Sequence, residues 1–259
     1  MHPILIDLGF FQIPSYGMLV ALGVVLGLLA LKRRASRRGL DGALLVDVAL
    51  WLVIWALVGA KGLLIFVELP RYVSDPASVV GVLRAGGVFL GGFIAAVVAG
   101  VVLFRRHKLA PLATMDAIIP SVALGHAIGR VGCLLAGCCW GRVCDLPWAI
   151  TYTDPVAASN VGTPLHIALH PFPAYSALFN LGLWGLLEWL YSRKPTSGRV
   201  FAAYLIIYGC GRFILEWTRG DASRGSVLSG ALSTSQLISL GLIALGCGLQ
   251  FWISKHRKT

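Results

Sequence analysis

The sequence predicts an all-α membrane protein with seven transmembrane helices. Of its 259 residues, 57% are apolar and only 13% are charged, and the mean hydropathy is +0.80. These values exclude a disordered chain and disfavour an ordinary soluble domain. Seven apolar stretches occur, each close to the ~20 residues that a helix needs to cross the hydrocarbon layer. We interpret residues 1–259 as a single integral membrane domain.

The predicted spans follow one another along the chain with mostly short connections. They are 15–31, 43–67, 86–104, 113–129, 173–191, 199–218 and 234–253. The first span is not a cleavable signal peptide, because six more spans follow it. The fourth and the sixth both contain polar residues.

Basic residues predict how the helices are oriented. Clusters of Lys and Arg follow the first, third, fifth and seventh spans, at 32–38, 105–108, 193–199 and 255–258. By the positive-inside rule these segments are cytoplasmic, so the N-terminus lies outside and the C-terminus is cytoplasmic. This distribution explains most of the net charge of +11, and anionic membrane lipids are its expected partners. No basic run is interleaved with aromatic residues, so no nucleic-acid partner is expected.

The longest polar interruption, residues 142–172, falls on the external, periplasmic side in this topology. Within it, residues 148–152 alternate between apolar and polar side chains in the manner of a strand. This alternation predicts a small external hairpin or an extended arm.

The glycine-rich stretch 125–142 carries Arg130 at the end of the fourth span. A guanidinium keeps its charge, and leaving it unpaired near hydrocarbon costs roughly 2.5 kcal/mol or more. Arg130 is therefore expected to bind an anion, and in a membrane the most abundant anion is a lipid phosphate. Glycines such as Gly132 either let backbone N–H groups approach phosphate oxygens or simply let helices pack closely.

A second charged stripe occupies the sixth span. Tyr208, Arg212, Glu216 and Arg219 recur at spacings of four, four and three, which places them on one helical face. One interpretation is a self-sufficient ion pair between Arg212 and Glu216. The other is a polar cavity, and the excess of arginine over carboxylate favours it because positive charge is left for a ligand.

Three further residues are candidates near the external face. Tyr16 begins the first span, either as an interfacial aromatic residue or with its hydroxyl directed into the cavity. His170 is followed by prolines that fix the local backbone. His126, four residues before Arg130, is either a packing residue or a candidate base.

Four cysteines, Cys133, Cys138, Cys139 and Cys144, lie close together in the sequence. Their spacing is not that of a standard zinc site, so no metal site is predicted. Two states of these cysteines stay open. One is a disulfide between Cys144 and either Cys138 or Cys139, and the other is a set of buried free thiols. Cys138 is also a candidate reactive thiol, since Arg130 is near it.

With these residues the chain resembles the phosphatidylglycerol:prolipoprotein diacylglyceryl transferase family over nearly its whole length. The blocks that carry the resemblance, in the family's order, are 16–18, 86–92, 129–142, 170–175 and 204–219. The chain departs from the family where a histidine, two asparagines and a glutamate are typical. At these positions it has Leu90, Cys133, Ala136 and Cys138.

The resemblance implies an enzyme of the bacterial inner membrane with its active site towards the outer leaflet. It implies transfer of the diacylglyceryl group of phosphatidylglycerol to the lipobox cysteine thiol of a prolipoprotein, without a cofactor. Its partners would be phosphatidylglycerol and the prolipoprotein signal peptide. The implied catalytic residues are Arg130, Arg212, His170 and Glu216. The implied substrate-binding residues are Arg130, Tyr16, Gly132, Gly91, Gly92, Tyr175, Tyr208, Arg219 and Cys138.

Two other functions stay in competition with this one. The departures at Cys133, Ala136 and Cys138 are compatible with a divergent paralogue, either another lipid-headgroup transferase or a thiol-redox membrane protein. An anion transporter is disfavoured, because the polar residues concentrate in the outer half of the spans and no internal repeat is visible.

Overall fold

The computed structural model describes residues 2–9, 12–75, 81–82, 86–221, 226–227 and 232–256. Arg257 and Lys258, part of the basic cluster at the C-terminus, lie outside these ranges. The helices are α1 (Ser15–Ser36), α2 (Gly42–Val67), α3 (Leu69–Ser74), α4 (Phe89–Arg106), α5 (Pro111–Ala136), α6 (Pro155–Val161), α7 (Phe172–Ser192), α8 (Arg199–Leu215) and α9 (Thr234–His256). The short strands are β1 (Ile4–Asp7), β2 (Gln12–Pro14), β3 (Ile150–Thr151), β4 (Ala168–Leu169), β5 (Ser226–Val227) and β6 (Leu232–Ser233).

Within the described ranges, six helices are long and apolar enough to cross a membrane: α1, α2, α4, α5, α8 with the turn that follows it, and α9. The remaining predicted span, 173–191, is also a helix, α7, but it carries Asn180 and Glu188 and is not among the six. The mostly helical, apolar fold predicted from composition is therefore confirmed. The helix α5 is longer than the predicted span, so Arg130 lies inside a helix that continues to Ala136.

Contacts divide the chain into two compact units, residues 31–114 and residues 1–30 with 115–259. In the first of these units α2 packs closely against α4. A Cβ atom on Gly92 would lie 2.8 Å from the Ala56 carbonyl oxygen, and one on Gly91 would lie 2.5 Å from Leu63 Cβ. Gly91 and Gly92 therefore allow α2 and α4 to pack closely. Their role in substrate binding stays a prediction.

In the other unit a buried carboxylate fixes the start of α8. Asp116, fully buried in α5, accepts hydrogen bonds from the backbone N–H groups of Gly198 (2.7 Å) and Phe201 (2.8 Å). A negative charge at a helix N-terminus satisfies orphan donors and favours the helix dipole. This contact anchors α8, whose far end carries Arg212.

The predicted external arm contains a short antiparallel pair. Ile150 of β3 lies opposite Leu169 of β4, and between the two strands lies α6, with Asp154 as its N-cap. An isolated bridge joins Gly141 to Arg219, the residue that follows the turn at the end of α8. A strand is therefore present at two of the five residues 148–152, Ile150 and Thr151. The start of the arm adjoins the chain beyond α8 through the Gly141 bridge.

Candidate active site

Three arginines surround one buried aromatic ring. The guanidinium carbons of Arg130, Arg212 and Arg219 lie 5.7, 5.8 and 5.0 Å from the ring centroid of Phe172, whose exposed fraction is 1%. Each distance is that of a cation–π contact. The ring face attracts all three cations, but it carries no net charge and cannot neutralise them. We call Arg130, Arg212, Arg219 and Phe172 the arginine cluster.

Backbone hydrogen bonds hold two segments of the cluster together. The N–H of Arg142 donates to the carbonyl of Thr218 (2.9 Å), and the N–H of His170 donates to the carbonyl of Arg142 (2.9 Å). The side chain of Arg142 adds a bond from Nε to the carbonyl of Arg219 (3.0 Å). The segment at 141–142 therefore ties Arg219 to the start of α7, where Phe172 lies.

Two of the three arginines have carboxylate partners. Arg212 forms an ion pair with Glu216, and its Nη2 donates to Ser235 Oγ (2.8 Å). Arg219 forms an ion pair with Asp221 through Nε, and its Nη2 donates to Asp221 Oδ2 (2.8 Å). The ion pair that the four-residue spacing of Arg212 and Glu216 indicated is therefore present.

Arg130 has no carboxylate partner within the part of the chain that the structure describes. Its Nε donates to Nε2 of His126 (3.1 Å), a neutral acceptor four residues earlier on α5. Nη1 of Arg219 is also buried and makes no hydrogen bond to a described residue. Counting the described residues alone, three guanidinium charges and two carboxylates leave one net positive charge and N–H donors without a protein acceptor. This combination suits a phosphate or another oxyanion.

The histidines occupy two different positions. His126 contacts Arg130 and also lies 5.6 Å, ring to ring, from Tyr208. Nδ1 of His170 lies 3.3 Å from the hydroxyl of Tyr175, which also accepts a hydrogen bond from Trp148 Nε1 (2.7 Å). His170 and Tyr175, predicted separately as base and substrate contact, thus form one polar group.

The structure also describes the surroundings of the other residues predicted to bind substrate. Tyr16 is about half exposed, and a Cβ atom on Gly132 would lie 3.3 Å from Tyr16 Cα. Gly132 therefore allows α1 and α5 to pack closely, as in the packing alternative. Tyr208 stacks on Tyr204 with ring centroids 5.2 Å apart. Cys138 and Cys139 come just after the end of α5, and their sulfur atoms lie within 4.8 Å of that of Cys133 in the last turn of this helix.

Sequence reasoning missed Phe172, Asp221 and Ser235, and it left the role of His126 open. Asp221, two residues after Arg219, and the four-residue spacing of His126 and Arg130 were visible signals. Phe172 had no such signal, because its three cationic partners come from distant parts of the chain.

Substitution of Gly141 tests how this segment is held. A Cβ atom there would lie 2.8 Å from the Thr218 carbonyl oxygen and closer still to the carbonyl of His170. We expect Gly141→Ala to destabilise the fold by about 1–3 kcal/mol, because backbone must shift to relieve the overlap. Thermal unfolding in detergent measures the effect. Gly182→Ala, at a glycine with open space around it, is the matched control, and equal melting temperatures of the two variants would contradict the expectation.

Comparison with known proteins gives a consistent result. A profile described as prolipoprotein diacylglyceryl transferase matches residues 3–252. The phosphatidylglycerol–prolipoprotein diacylglyceryl transferase of Clostridium tetani is 38% identical over 260 residues, covering 100% of both chains. The Synechococcus elongatus protein of that name is 34% identical, covering 97% of this chain and 87% of its own. A second such transferase of Clostridium perfringens is 32% identical, covering 98% and 96%. The chain therefore belongs to the prolipoprotein diacylglyceryl transferase family.

Proposed function

We propose that this protein transfers the diacylglyceryl group of phosphatidylglycerol to the lipobox cysteine thiol of prolipoproteins, the first step of bacterial lipoprotein maturation. Membership of the family over nearly the whole chain supports this activity. The structural observation that carries it is Arg130, a cation without a carboxylate partner among the described residues, beside two arginines that have them. A lipid phosphate is the ligand that such a cluster fits.

The main requirement of this reaction is stabilisation of the negative charge on the leaving group. Transfer breaks the bond between the glyceryl carbon and a phosphate oxygen, and the leaving group is glycerol phosphate. The negative charge that develops on that oxygen needs fixed donors. Arg130 would supply them, since no carboxylate among the described residues binds its Nη atoms. Glu216 would hold the guanidinium of Arg212 in place, and Asp221 would hold that of Arg219. Glu216 would therefore orient Arg212 and would not abstract a proton.

The incoming nucleophile is a cysteine thiol with an ordinary pKa near 8.5. A base accelerates its reaction, but the thiol loses its proton easily enough that the base makes only a modest contribution. We assign this base to His170, whose ring is held against Tyr175 at the start of α7. Tyr16 and Tyr208 would line the path of the substrates. Arg219 would contribute to the phosphate its buried Nη1, which makes no hydrogen bond to a described residue. Cys138 would face the substrate from the end of α5.

We place the protein in the bacterial inner membrane as a single seven-helix domain, with α7 as the seventh span. The N-terminus lies outside and the C-terminus lies in the cytoplasm. Basic residues in the last turns of α1, α4 and α9 support this orientation. The arginine cluster then faces the outer leaflet, where the signal peptide of an exported prolipoprotein would meet phosphatidylglycerol.

Complementation tests the function. We expect expression of this protein to restore growth and lipoprotein lipidation in a bacterial strain depleted of its own transferase. Arg130→Ala is the inactive comparison, and immunoblotting of membranes shows that both proteins are present. Good expression without rescue would contradict the proposal and favour the divergent paralogue, for which the cysteines at 133 and 138 and Ala136 are the specific indication.

A further inference from the structure

The end of α5 brings cysteines together that the sequence separates. Gly137 has a φ of +76°, and its N–H donates to the carbonyl of Leu134 (3.3 Å). The N–H of Cys138 donates to the carbonyl of Cys133 (3.1 Å). These two bonds and the left-handed glycine define a Schellman motif. The motif folds the chain back, so that Cys138 lies over the last turn of the helix that carries Cys133.

The next residue completes the group. Cys139 has a φ of +58°, a left-handed conformation that a residue with a Cβ atom adopts only at a cost of about 1–3 kcal/mol. The sulfur atoms of Cys133, Cys138 and Cys139 all lie within 4.8 Å of one another. All three thiols are free, and Cys133 is buried. The unfavourable backbone at Cys139 thus coincides with the convergence of three sulfurs.

A tyrosine lies beside the turn that brings these sulfurs together. A Cβ atom on Gly137 would lie 3.4 Å from Cδ1 of Tyr152. Nearby, Tyr152 is fully buried, and its hydroxyl has no hydrogen-bond partner within the described ranges. A buried hydroxyl without a partner among the described residues is a donor that a group bound at this turn would satisfy.

We propose that Cys133, Cys138 and Cys139 bind one soft, thiophilic metal ion. Thiolate ligands select Cu(I) or Zn(II) over the hard ions Mg²⁺ and Ca²⁺. Three sulfurs from one chain leave a further position open to water or substrate, as in metal sites with three protein ligands. Binding replaces the three thiol protons by the ion, and the protons leave to solvent. The three thiolates would carry a charge of −3, so the loaded site would have a net charge of −2 with Cu(I) or −1 with Zn(II).

The binding experiment uses the purified full-length protein, reduced and dialysed free of metal in detergent. Cu(I) and Zn(II) are titrated in separate arms against a chromophoric chelator. We expect one ion per chain in at least one arm, with three of the six thiols protected from alkylation in the loaded protein. Failure of both ions to bind in stoichiometric amount would overturn the proposal, as would a disulfide among these cysteines in the protein as isolated from membranes.

Serine variants assign the ligands. We expect Cys133→Ser, Cys138→Ser and Cys139→Ser each to weaken binding by at least about 100-fold, since loss even of a residue that only supports a ligand costs 10- to 100-fold. Cys144→Ser and Cys210→Ser are the matched controls and retain full affinity. Unchanged affinity in the triple variant would contradict the assignment.

X-ray absorption of the loaded wild-type protein gives a readout that does not depend on how the variants fold. We expect sulfur neighbours of the ion, at about 2.3 Å if it is zinc. A shell of oxygen and nitrogen alone would overturn the proposal. Neither experiment depends on transferase activity, so the metal site and the proposed function fail or succeed separately.

Discussion

Arg130→Ala is expected to lower diacylglyceryl transfer by at least about 100-fold, the loss that accompanies removal of one donor to a developing oxyanion. The reason is that Arg130 is the member of the arginine cluster without a carboxylate partner in the described structure, and so the one with charge and N–H groups to offer a phosphate. The measurement is the mass gain of a lipobox-containing prolipoprotein peptide in vesicles of phosphatidylglycerol.

A matched variant separates this effect from a general loss of positive charge. Arg193 stacks on Trp189 at 5.1 Å, at the opposite end of α7 from Phe172. Arg193→Ala makes the same change in charge away from the cluster and is expected to keep near-normal transfer. Similar transfer by the two variants, with equal amounts of folded protein, would rule out Arg130 as the phosphate ligand.

Phe172→Leu is expected to reduce transfer by about tenfold or more while the protein still folds. Leucine keeps an apolar side chain under the three guanidiniums but removes the ring face, and each cation–π contact contributes about 0.5–1 kcal/mol or more when desolvated. Without the ring the three cations repel one another and lose their common position. The same peptide assay measures the rate, and thermal unfolding in detergent measures the stability.

The control for the ring is a second phenylalanine close in sequence to the cluster. Phe213 follows Arg212 but contacts Trp217, with ring centroids 5.8 Å apart. Phe213→Leu therefore removes an aromatic contact without uncovering a guanidinium, and we expect little effect on transfer. If Phe172→Leu retained full activity, the ring would have only a packing role.

The helical framework follows from the sequence because apolar runs of about 20 residues leave few alternatives in a membrane. The ion pair of Arg212 and Glu216 follows from helical periodicity, which places residues four apart on one face. Both are local patterns, and local patterns are what a single sequence displays. For the strand pair at 150–151 and 168–169, the sequence showed alternating apolar and polar residues around the first strand only.

Contacts between distant segments could not be predicted in this way. Phe172 contacts Arg130, Arg212 and Arg219 only because α5, α7 and α8 come together in the fold. No spacing of residues in the sequence indicates this packing. The close packing at Gly91 and Gly92 depends on which helix faces them, and in the structure that helix is α2. The close approach of three cysteines depended on the left-handed backbone at Gly137 and Cys139, which the sequence offers but does not specify.

Reconstitution of the purified protein with one phospholipid at a time decides whether the arginine cluster serves a phosphatidylglycerol-dependent transferase. The quantity measured is the mass of a lipobox peptide after incubation in vesicles of phosphatidylglycerol or of phosphatidylethanolamine, with a peptide carrying serine for the lipobox cysteine as control. We expect a gain of one diacylglyceryl group, release of glycerol phosphate and dependence on Arg130 only with phosphatidylglycerol and the cysteine peptide. No mass gain by folded protein, or an equal gain with phosphatidylethanolamine, would contradict the proposed function.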